Sequence, residues 1–108
     1  MNTVSTHVLD TALGQPAHGI SVTLERDGRI FGSGVTDADG RVRELVSNAE
    51  LSEGTYRLTF RVEGYFAKQE RESFYDNVLI EFRIGPGSGH YHVPLLLSPF
   101  GYSTYRGS

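Results

Sequence analysis

The chain contains no cysteine among its 108 residues. This absence excludes disulfides and thiolate metal sites, and it is compatible with a reducing compartment. No apolar run approaches the ~20 residues of a transmembrane helix, so we expect no membrane partner. Residues 1–7 carry neither the basic nor the apolar segment of a signal peptide. We therefore expect a cytoplasmic location.

The chain also lacks an excess of basic residues. Its formal net charge is −3, and its Lys and Arg residues are scattered, so nucleic acid is not an expected partner. Apolar residues make up only 38% of the sequence, and a chain of this length buries roughly 60–70% of its unfolded surface. These properties fit one domain over residues 1–108 with a thin two-layer fold, or a fold completed by assembly.

Alternation of polar and apolar residues predicts many short strands. Loops are expected between them, including 11–19, 47–54 and 85–89, and residues 64–72 are expected to form a helix of about two turns packed on a sheet. The pattern is typical of an all-β antiparallel sandwich or barrel, whose edges could be covered in a homo-oligomer. The predicted strands are 3–10, 20–26, 29–36, 41–46, 55–62, 77–84 and a final pair joined at 98–101.

Four histidines are the first candidates for chemistry, because imidazole titrates near neutral pH. His90 and His92 share a face of a predicted strand, His7 lies mid-strand among apolar neighbours, and His18 lies in a predicted surface loop. Each could simply be an exposed or hydrogen-bonded ring. Alternatively, His90 and His92 with His7 or a carboxylate could bind zinc, although a His-x-His pair alone is a weak signal.

Arg41 is a second candidate, since it follows the acidic turn at 36–40. It could form a surface salt bridge with Asp37 or Asp39, which would contribute little to stability. It could instead present a guanidinium fork to a planar, oxygen-rich ligand. The sequence leaves both interpretations open.

The C-terminal tail is the third candidate. It ends in Tyr105-Arg106-Gly107-Ser108, a density of functional groups that is unusual where chains commonly fray. There is no Gly-x-Ser-x-Gly motif and no obvious Ser-His-Asp set to make Ser108 a nucleophile. Its terminal carboxylate could orient a histidine or a water instead.

Three segments together resemble a known family. They are residues 5–10 leading into 14–17, the turn and arginine at 36–41, and the stretch 90–108 with its terminal Tyr-Arg-Gly-Ser. In this order, and from end to end, they resemble the transthyretin-related family of 5-hydroxyisourate hydrolases. In hormone-carrying transthyretins the Ser-Pro-aromatic corner remains, but the tetrapeptide and the site histidines are replaced. The resemblance is therefore to the enzymes.

The resemblance implies a transthyretin-like antiparallel β-sandwich of two four-stranded sheets with one short helix. It also implies a homotetramer, built as a dimer of dimers, with active sites at the dimer–dimer interface and no metal or organic cofactor. The implied reaction converts 5-hydroxyisourate to 2-oxo-4-hydroxy-4-carboxy-5-ureidoimidazoline in urate degradation. The implied catalytic residues are His7, Arg41, His92 and Ser108, and the implied substrate-binding residues are His7, Arg41, Tyr105, Arg106 and Gly107.

Ring opening of 5-hydroxyisourate is hydrolysis of a cyclic acyl–nitrogen bond. We expect His92, held by His7, to take a proton from the attacking water. Arg41 is expected to stabilise the developing oxygen charge, and Ser108 to orient a histidine or the water. The alternatives are a non-catalytic carrier of a small aromatic ligand and a structural sandwich with an incidental histidine cluster.

Overall fold

The described residues, 1–46 and 50–108, form nine strands and one helix in a computed structural model. The loop predicted at 47–54 therefore lies partly outside the described residues. Most predicted strands are confirmed to within one or two residues at each end. The elements are β1 (Thr3–Asp10), β2 (Gln15–Pro16), β3 (Ser21–Arg26), β4 (Arg29–Val35), β5 (Arg41–Val42), β6 (Gly54–Arg61), α1 (Glu63–Ala67), β7 (Asn77–Ile84), β8 (His90–Ser98) and β9 (Gly101–Thr104).

The strands form two sheets, and the predicted β-sandwich is confirmed. One sheet has the antiparallel order β4-β3-β6-β7. The other has the order β2-β1-β8-β9, with β5 also paired to β1. It has five strands rather than four, because β2 and β5 are each two residues long and pair with different parts of β1. In addition, β1 and β8 run parallel. These two strands are not joined by a hairpin, which would have required an antiparallel pair.

The hydrophobic core lies between the sheets and follows the alternation in the sequence. The inward-facing positions predicted at 20, 22 and 24 and at 56, 58 and 60 are buried. Each large apolar side chain buried in this way contributes roughly 1.5–3 kcal/mol to the free energy of folding. The largest fully buried side chains include Tyr56, Phe60, Phe66, Ile20, Leu24, Leu51, Leu58, Ile84, Leu95 and Leu97.

Strand β5 is shorter than the predicted strand at 41–46. After Val42 the regular pairing stops, although the Leu45 N–H still donates a 3.2 Å hydrogen bond to the Val4 carbonyl of β1, and Leu45 and Val46 are buried in the core. Gly32 of β4 makes room for this segment, since a Cβ atom there would lie 1.7 Å from the carbonyl oxygen of Leu45. The segment beyond Val42 therefore stays beside β1 and contributes to the core, but it is not a regular strand.

The helix is also shorter than the predicted segment, 64–72. It covers Glu63–Ala67 and buries Tyr65 and Phe66. Glu70 has a left-handed backbone conformation with φ 55°, which turns the chain so that Arg71 reaches back to β1. The helical composition of residues 68–72 is therefore overridden by a tertiary contact.

That contact is made to Asp10, whose side chain is fully buried at the end of β1. Asp10 accepts hydrogen bonds from the Tyr65 hydroxyl at 2.7 Å and from Arg71 Nη1 at 2.8 Å. The backbone N–H groups of Ala12 and Leu13 donate to its other oxygen at 3.1 Å each. Burial alone would raise the pKa of Asp10, but the bonds from Arg71, Tyr65 and Leu13 together lower it.

Over residues 1–46 and 50–108, no helix is long and apolar enough to cross a membrane. The cytoplasmic location expected from the N-terminal sequence stays a prediction. The assignment of residues 1–108 to one domain also stays a prediction.

Replacing Arg71 with Met should lower the free energy of unfolding by about 3 kcal/mol at neutral pH, because a buried carboxylate loses its counter-charge. The pKa of Asp10 is lower in the folded state than in the unfolded chain. Its stabilising contribution is therefore complete above the unfolded pKa of about 3.9 and is lost as the pH falls through the folded pKa. In urea unfolding, the gap between wild type and variant should shrink below about pH 4.

The matched control is Arg57→Met. Arg57 forms an ion pair of 3.4 Å with Glu81, and both side chains are largely exposed, so its loss should cost less than about 1 kcal/mol. Equal losses of stability in the two variants would contradict the importance assigned to the buried pair.

Candidate active site

A hydrogen-bonded chain of hydroxyl and imidazole groups lies on the outer face of the five-stranded sheet. The parallel register of β1 and β8 sets Thr3 beside His90 and Ser5 beside His92. Ser5 Oγ lies 2.9 Å from His90 Nε2 and 2.8 Å from His92 Nδ1, and Thr3 Oγ1 lies 2.6 Å from His90 Nδ1. Ser5 therefore connects the two histidines of the predicted His-x-His pair.

His7 lies on the same strand and face as Ser5, and it is paired with Arg41 of β5 in the strand register. Both side chains are partly buried. Among the described residues, the hydrogen-bond partner of the His92 ring is Ser5 and not His7. The expectation that His7 holds His92 is thus replaced by a Ser5 contact, and His7 lies close enough to act on His92 through its charge.

The acidic turn positions Arg41 through its backbone. Asp37 Oδ1 accepts hydrogen bonds from the N–H groups of Asp39 and Arg41, both at 2.9 Å. The bond from the Arg41 N–H is the main cause of a lowered pKa at Asp37. The ion pair of the turn is formed by Arg43, whose Nη2 lies 3.6 Å from Asp39. Within the part of the chain that the structure describes, Arg41 forms no ion pair, which leaves its guanidinium available to a ligand.

The tail returns to the histidines at Gly107. The Gly107 N–H donates a 2.8 Å hydrogen bond to the carbonyl of His92, in an isolated antiparallel bridge. A Cβ atom at position 107 would lie 2.6 Å from His92 Cδ2, so the absence of a side chain lets the backbone pass directly over the imidazole. The chain terminus at Ser108 is thereby delivered beside His92.

These groups line an open cleft of about 280 Å³, with Ser108 and His92 on its wall. His7 lines a neighbouring depression that shares Arg41 and Arg43 with the cleft. No pattern in the sequence singled out Ser5 or Arg43. The strand alternation placed Ser5 on the face of His7, and Arg43 is two residues from Arg41, but the signal becomes specific only when the β1–β8 register is known. The cleft is lined by Ser5, Thr6, Arg41, Arg43, His90, His92 and Ser108.

Tyr105 and Arg106 lie elsewhere. They line a second cleft of about 310 Å³ together with residues of β7 and β8, including Phe82 and Tyr91. The Arg106 guanidinium stacks on Tyr91, 4.5 Å from the ring centre. Of the predicted site residues, a single chain brings together Arg41, His92, Gly107 and Ser108, with His7 adjacent, and holds Tyr105 and Arg106 apart. The roles assigned to these residues stay predictions.

His92 is held in its neutral form by its surroundings. Partial burial lowers its pKa below the ordinary value of 6.5, and electrostatic repulsion, first from the Arg41 charge and then from the neighbouring His7 and His90 rings, lowers it further. A neutral imidazole at neutral pH can accept a proton. The cleft thus combines a base with a guanidinium that can bind oxygen atoms.

The described side chains of the cleft are not grouped in the way that a metal site requires. Across residues 1–46 and 50–108, no three His, Asp or Glu side chains are grouped so that they could hold a metal ion. Ser5 and Thr3 occupy both ring nitrogens of His90 and one of His92, which leaves few donors for zinc.

The two sheets, the short helix and the histidine cleft define a transthyretin-type β-sandwich. The chain belongs to the HIUase/Transthyretin family, whose model matches residues 4–107. It is 47% identical over 114 residues to 5-hydroxyisourate hydrolase 2 of Rhizobium meliloti, covering 97% of this chain and 95% of that protein.

Solved structures agree with this membership. The structure of Klebsiella pneumoniae 5-hydroxyisourate hydrolase superimposes with a TM-score of 0.91 at 44% identity, covering all of both chains. Sea bream transthyretin in complex with thyroxine superimposes with a TM-score of 0.86 at 31% identity, covering 96% of this chain and 93% of that one. Similarity therefore extends to both an enzyme and a hormone-binding protein, and it is greater to the enzyme.

Replacing Arg41 with Gln should raise the pKa of His92, because a nearby positive charge is removed. The rise should be partial, since burial is the larger cause and remains in the variant. An NMR titration of the His92 ring measures the change. Arg43→Gln is the matched control, because Arg43 lines the same cleft but is not a cause of the His92 shift. A pKa that is unchanged in Arg41→Gln would contradict the charge contribution.

Proposed function

We propose that this chain hydrolyses 5-hydroxyisourate to 2-oxo-4-hydroxy-4-carboxy-5-ureidoimidazoline, as a cyclic amidohydrolase in urate degradation. The observation that carries the proposal is the cleft in which a neutral His92, Arg41 and the chain terminus at Ser108 meet. Similarity to proteins named 5-hydroxyisourate hydrolase, at 41–47% identity over nearly the whole chain, supports it.

The reaction needs a base for the attacking water, a stabiliser for the oxygen charge and an acid for the leaving nitrogen. His92 takes the proton of the water at Nε2, since Nδ1 is occupied by Ser5, and later returns a proton to the nitrogen. Arg41 binds the substrate oxygens and stabilises the oxyanion; one such donor contributes about 3–4 kcal/mol to transition-state stabilisation. The terminal carboxylate of Ser108 orients the water.

His7 completes the binding surface beside Arg41. Gly107 contributes its backbone, which passes over the His92 ring without a side chain in the way. Tyr105 and Arg106 contact substrate only if a second copy brings them to the cleft, because they line a different cleft within one chain.

The proposed reaction does not use a metal ion. Three of the four ring nitrogens of His90 and His92 already bond to hydroxyl groups. Proton transfer through an imidazole and charge stabilisation by a guanidinium supply the required steps.

We propose a homotetramer, a dimer of dimers with the active sites at the dimer–dimer interface. The cleft lies open on the outer face of a sheet, next to the half-buried Leu9 and Leu96. A facing copy would cover these side chains and exclude water from the site. Strands β7 and β9 each end a sheet, and unpaired edges of this kind tend to be covered. Sedimentation velocity would test the assembly.

The second candidate is a carrier of a small aromatic ligand, favoured by the likeness to the transthyretin solved with thyroxine. A carrier does not need the base, guanidinium and carboxylate that meet in the cleft. Those groups favour the hydrolase.

The test is a spectrophotometric assay in which urate oxidase generates 5-hydroxyisourate in the cuvette. Its decay is followed with and without the protein, and a parallel cuvette contains a chelator. Acceleration that survives the chelator is expected. Acceleration lost to the chelator would restore the metal-site alternative, and no acceleration by the folded protein would favour the carrier.

His92→Ala should lower kcat by roughly 10²- to 10⁴-fold, the contribution of a general base. Stability should change little, because His92 is only partly buried and its Ser5 partner can bond to His90 instead. The measurements are steady-state kinetics and thermal unfolding of the same sample. His18→Ala is the control, since His18 is exposed in a loop. Wild-type turnover in His92→Ala would remove His92 from the mechanism.

Appending a few residues after Ser108 should abolish most activity, because the carboxylate leaves the cleft and additional chain enters it. The same residues placed before Met1 form the control, since the N-terminal amine contacts Ser88 and is not among the groups that line the cleft. If the C-terminally extended protein keeps full kcat/KM, the tail does not take part in catalysis.

A further inference from the structure

Four side chains form a hydrogen-bonded chain along one wall of the cleft. In order they are His92, Ser5, His90 and Thr3, joined by contacts of 2.8, 2.9 and 2.6 Å. Ser5 is only 8% exposed, His92 is partly buried and His90 is exposed. The chain therefore begins at the proposed base His92, passes through the shielded hydroxyl of Ser5 to the solvent-exposed ring of His90, and ends at Thr3.

The chemistry of the Ser5 hydroxyl limits how this chain can be protonated. A serine hydroxyl carries one hydrogen, so it cannot donate to both histidines at once. It can accept from both rings, but when it donates to one neutral ring it must accept from the other, and a relay requires this second arrangement. Either His92 carries its proton on Nδ1 and His90 accepts from Ser5, or His90 Nε2 carries the proton and His92 accepts from Ser5. The tautomers of the two histidines are thereby coupled.

We propose that Ser5 is a positioning residue for His92 and that Ser5 and His90 form a proton relay between the cleft and solvent. This role rests on the proposed function, because the proton that moves is the one taken from the water that attacks 5-hydroxyisourate. Ser5 and His90 line the wall of the cleft, and their proposed role is exerted through His92 rather than on the reacting atoms. They act by determining which ring nitrogen of His92 carries hydrogen and therefore which one can accept the proton of the reacting water.

The relay conserves protons at each step. In the resting state His92 carries hydrogen on Nδ1, and its Nε2 takes a proton from the attacking water. The resulting imidazolium passes its Nδ1 proton to Ser5 Oγ, Ser5 passes its own hydrogen to His90 Nε2, and His90 releases its Nδ1 proton past Thr3 to solvent. His92 then holds one proton, on Nε2; as Nε2 gives this proton to the leaving nitrogen, Nδ1 takes a proton back from Ser5, so the ring stays neutral. The reverse transfer from solvent restores the resting state.

The charged groups around the cleft favour the resting state. Arg41 and Arg43 line the cleft, and His7 acts on His92 from the neighbouring strand. Ser108 lies on the same wall, and Arg106 Nη2 donates to the His90 carbonyl at 3.5 Å. The guanidinium groups can only donate hydrogen bonds, so they favour an unprotonated Nε2 on the cleft side and therefore the proton on Nδ1.

The first test separates kcat from KM. Ser5→Ala should lower kcat roughly ten- to a hundredfold, part of the range for acid–base catalysis, with KM close to wild type. Ser5→Thr retains the hydroxyl and should recover most of the loss. His90→Ala should lower kcat about tenfold, and added imidazole should restore it by replacing the missing ring. His18→Ala is the control, with wild-type kcat and no response to imidazole.

A second test does not depend on turnover. In protein labelled with ¹⁵N-histidine, the ring shifts of His92 at pH 8 should report hydrogen on Nδ1 in the wild type and a shift toward Nε2 in Ser5→Ala. The proposed function fails if the wild type does not accelerate 5-hydroxyisourate decay. The ring shifts still show whether Ser5 sets the tautomer of His92. Failure of the relay and failure of the proposed function are therefore distinguishable.

Several results would overturn the relay. One is wild-type kcat in Ser5→Ala, and another is a Ser5→Thr enzyme as slow as Ser5→Ala. A third is a His90→Ala enzyme that is fully active or does not respond to imidazole. An identical His92 tautomer in wild type and Ser5→Ala would remove the positioning role. Because His90 is exposed, its variant keeps the relay testable if Ser5→Ala does not fold.

Discussion

The parallel pairing of β1 with β8 is the constraint on which the site depends. The two strands are separated by most of the chain, and their register alone sets Ser5 beside His92 and His7 beside Pro94. Because side chains alternate across a strand, a slip of one residue would send every member of the cluster to the core face. The same register turns apolar residues inward, so burial of the core and assembly of the cleft are enforced together.

The cleft is built around the two edges of β1. Strand β5 pairs with one edge and supplies Arg41, while β8 pairs with the other and supplies the histidines. The buried Asp10 at the end of β1 bonds to Tyr65 within the helix and to Arg71 beyond it. These bonds anchor the end of β1, whose outer face carries polar groups. Precise placement of such groups matters because small displacements from a productive geometry slow catalysis.

The sandwich itself does not distinguish an enzyme from a carrier. A hydrolase and a thyroxine-bound transthyretin both superimpose on nearly the whole chain, which shows that the difference resides in side chains on a shared scaffold. In this chain the outer face carries imidazole, guanidinium and a chain terminus rather than an apolar lining. Partial burial next to positive charge keeps His92 neutral, and a neutral ring suits proton transfer.

Local patterns in the sequence determined most of the strands and the inward faces at 20–24 and 56–60, because alternation and turn residues act over short distances. They did not predict the irregular pairing beyond Val42 or the early end of the helix, where the hydrogen bond from Arg71 to the buried Asp10 overrode local preference. The likeness of three segments to a family pointed to His7, Arg41, His92 and Ser108. Only the tertiary structure showed Ser5 between two imidazoles and set Tyr105 and Arg106 on another cleft. Strand register and the path of the tail are long-range properties, decided by packing between residues far apart in the chain.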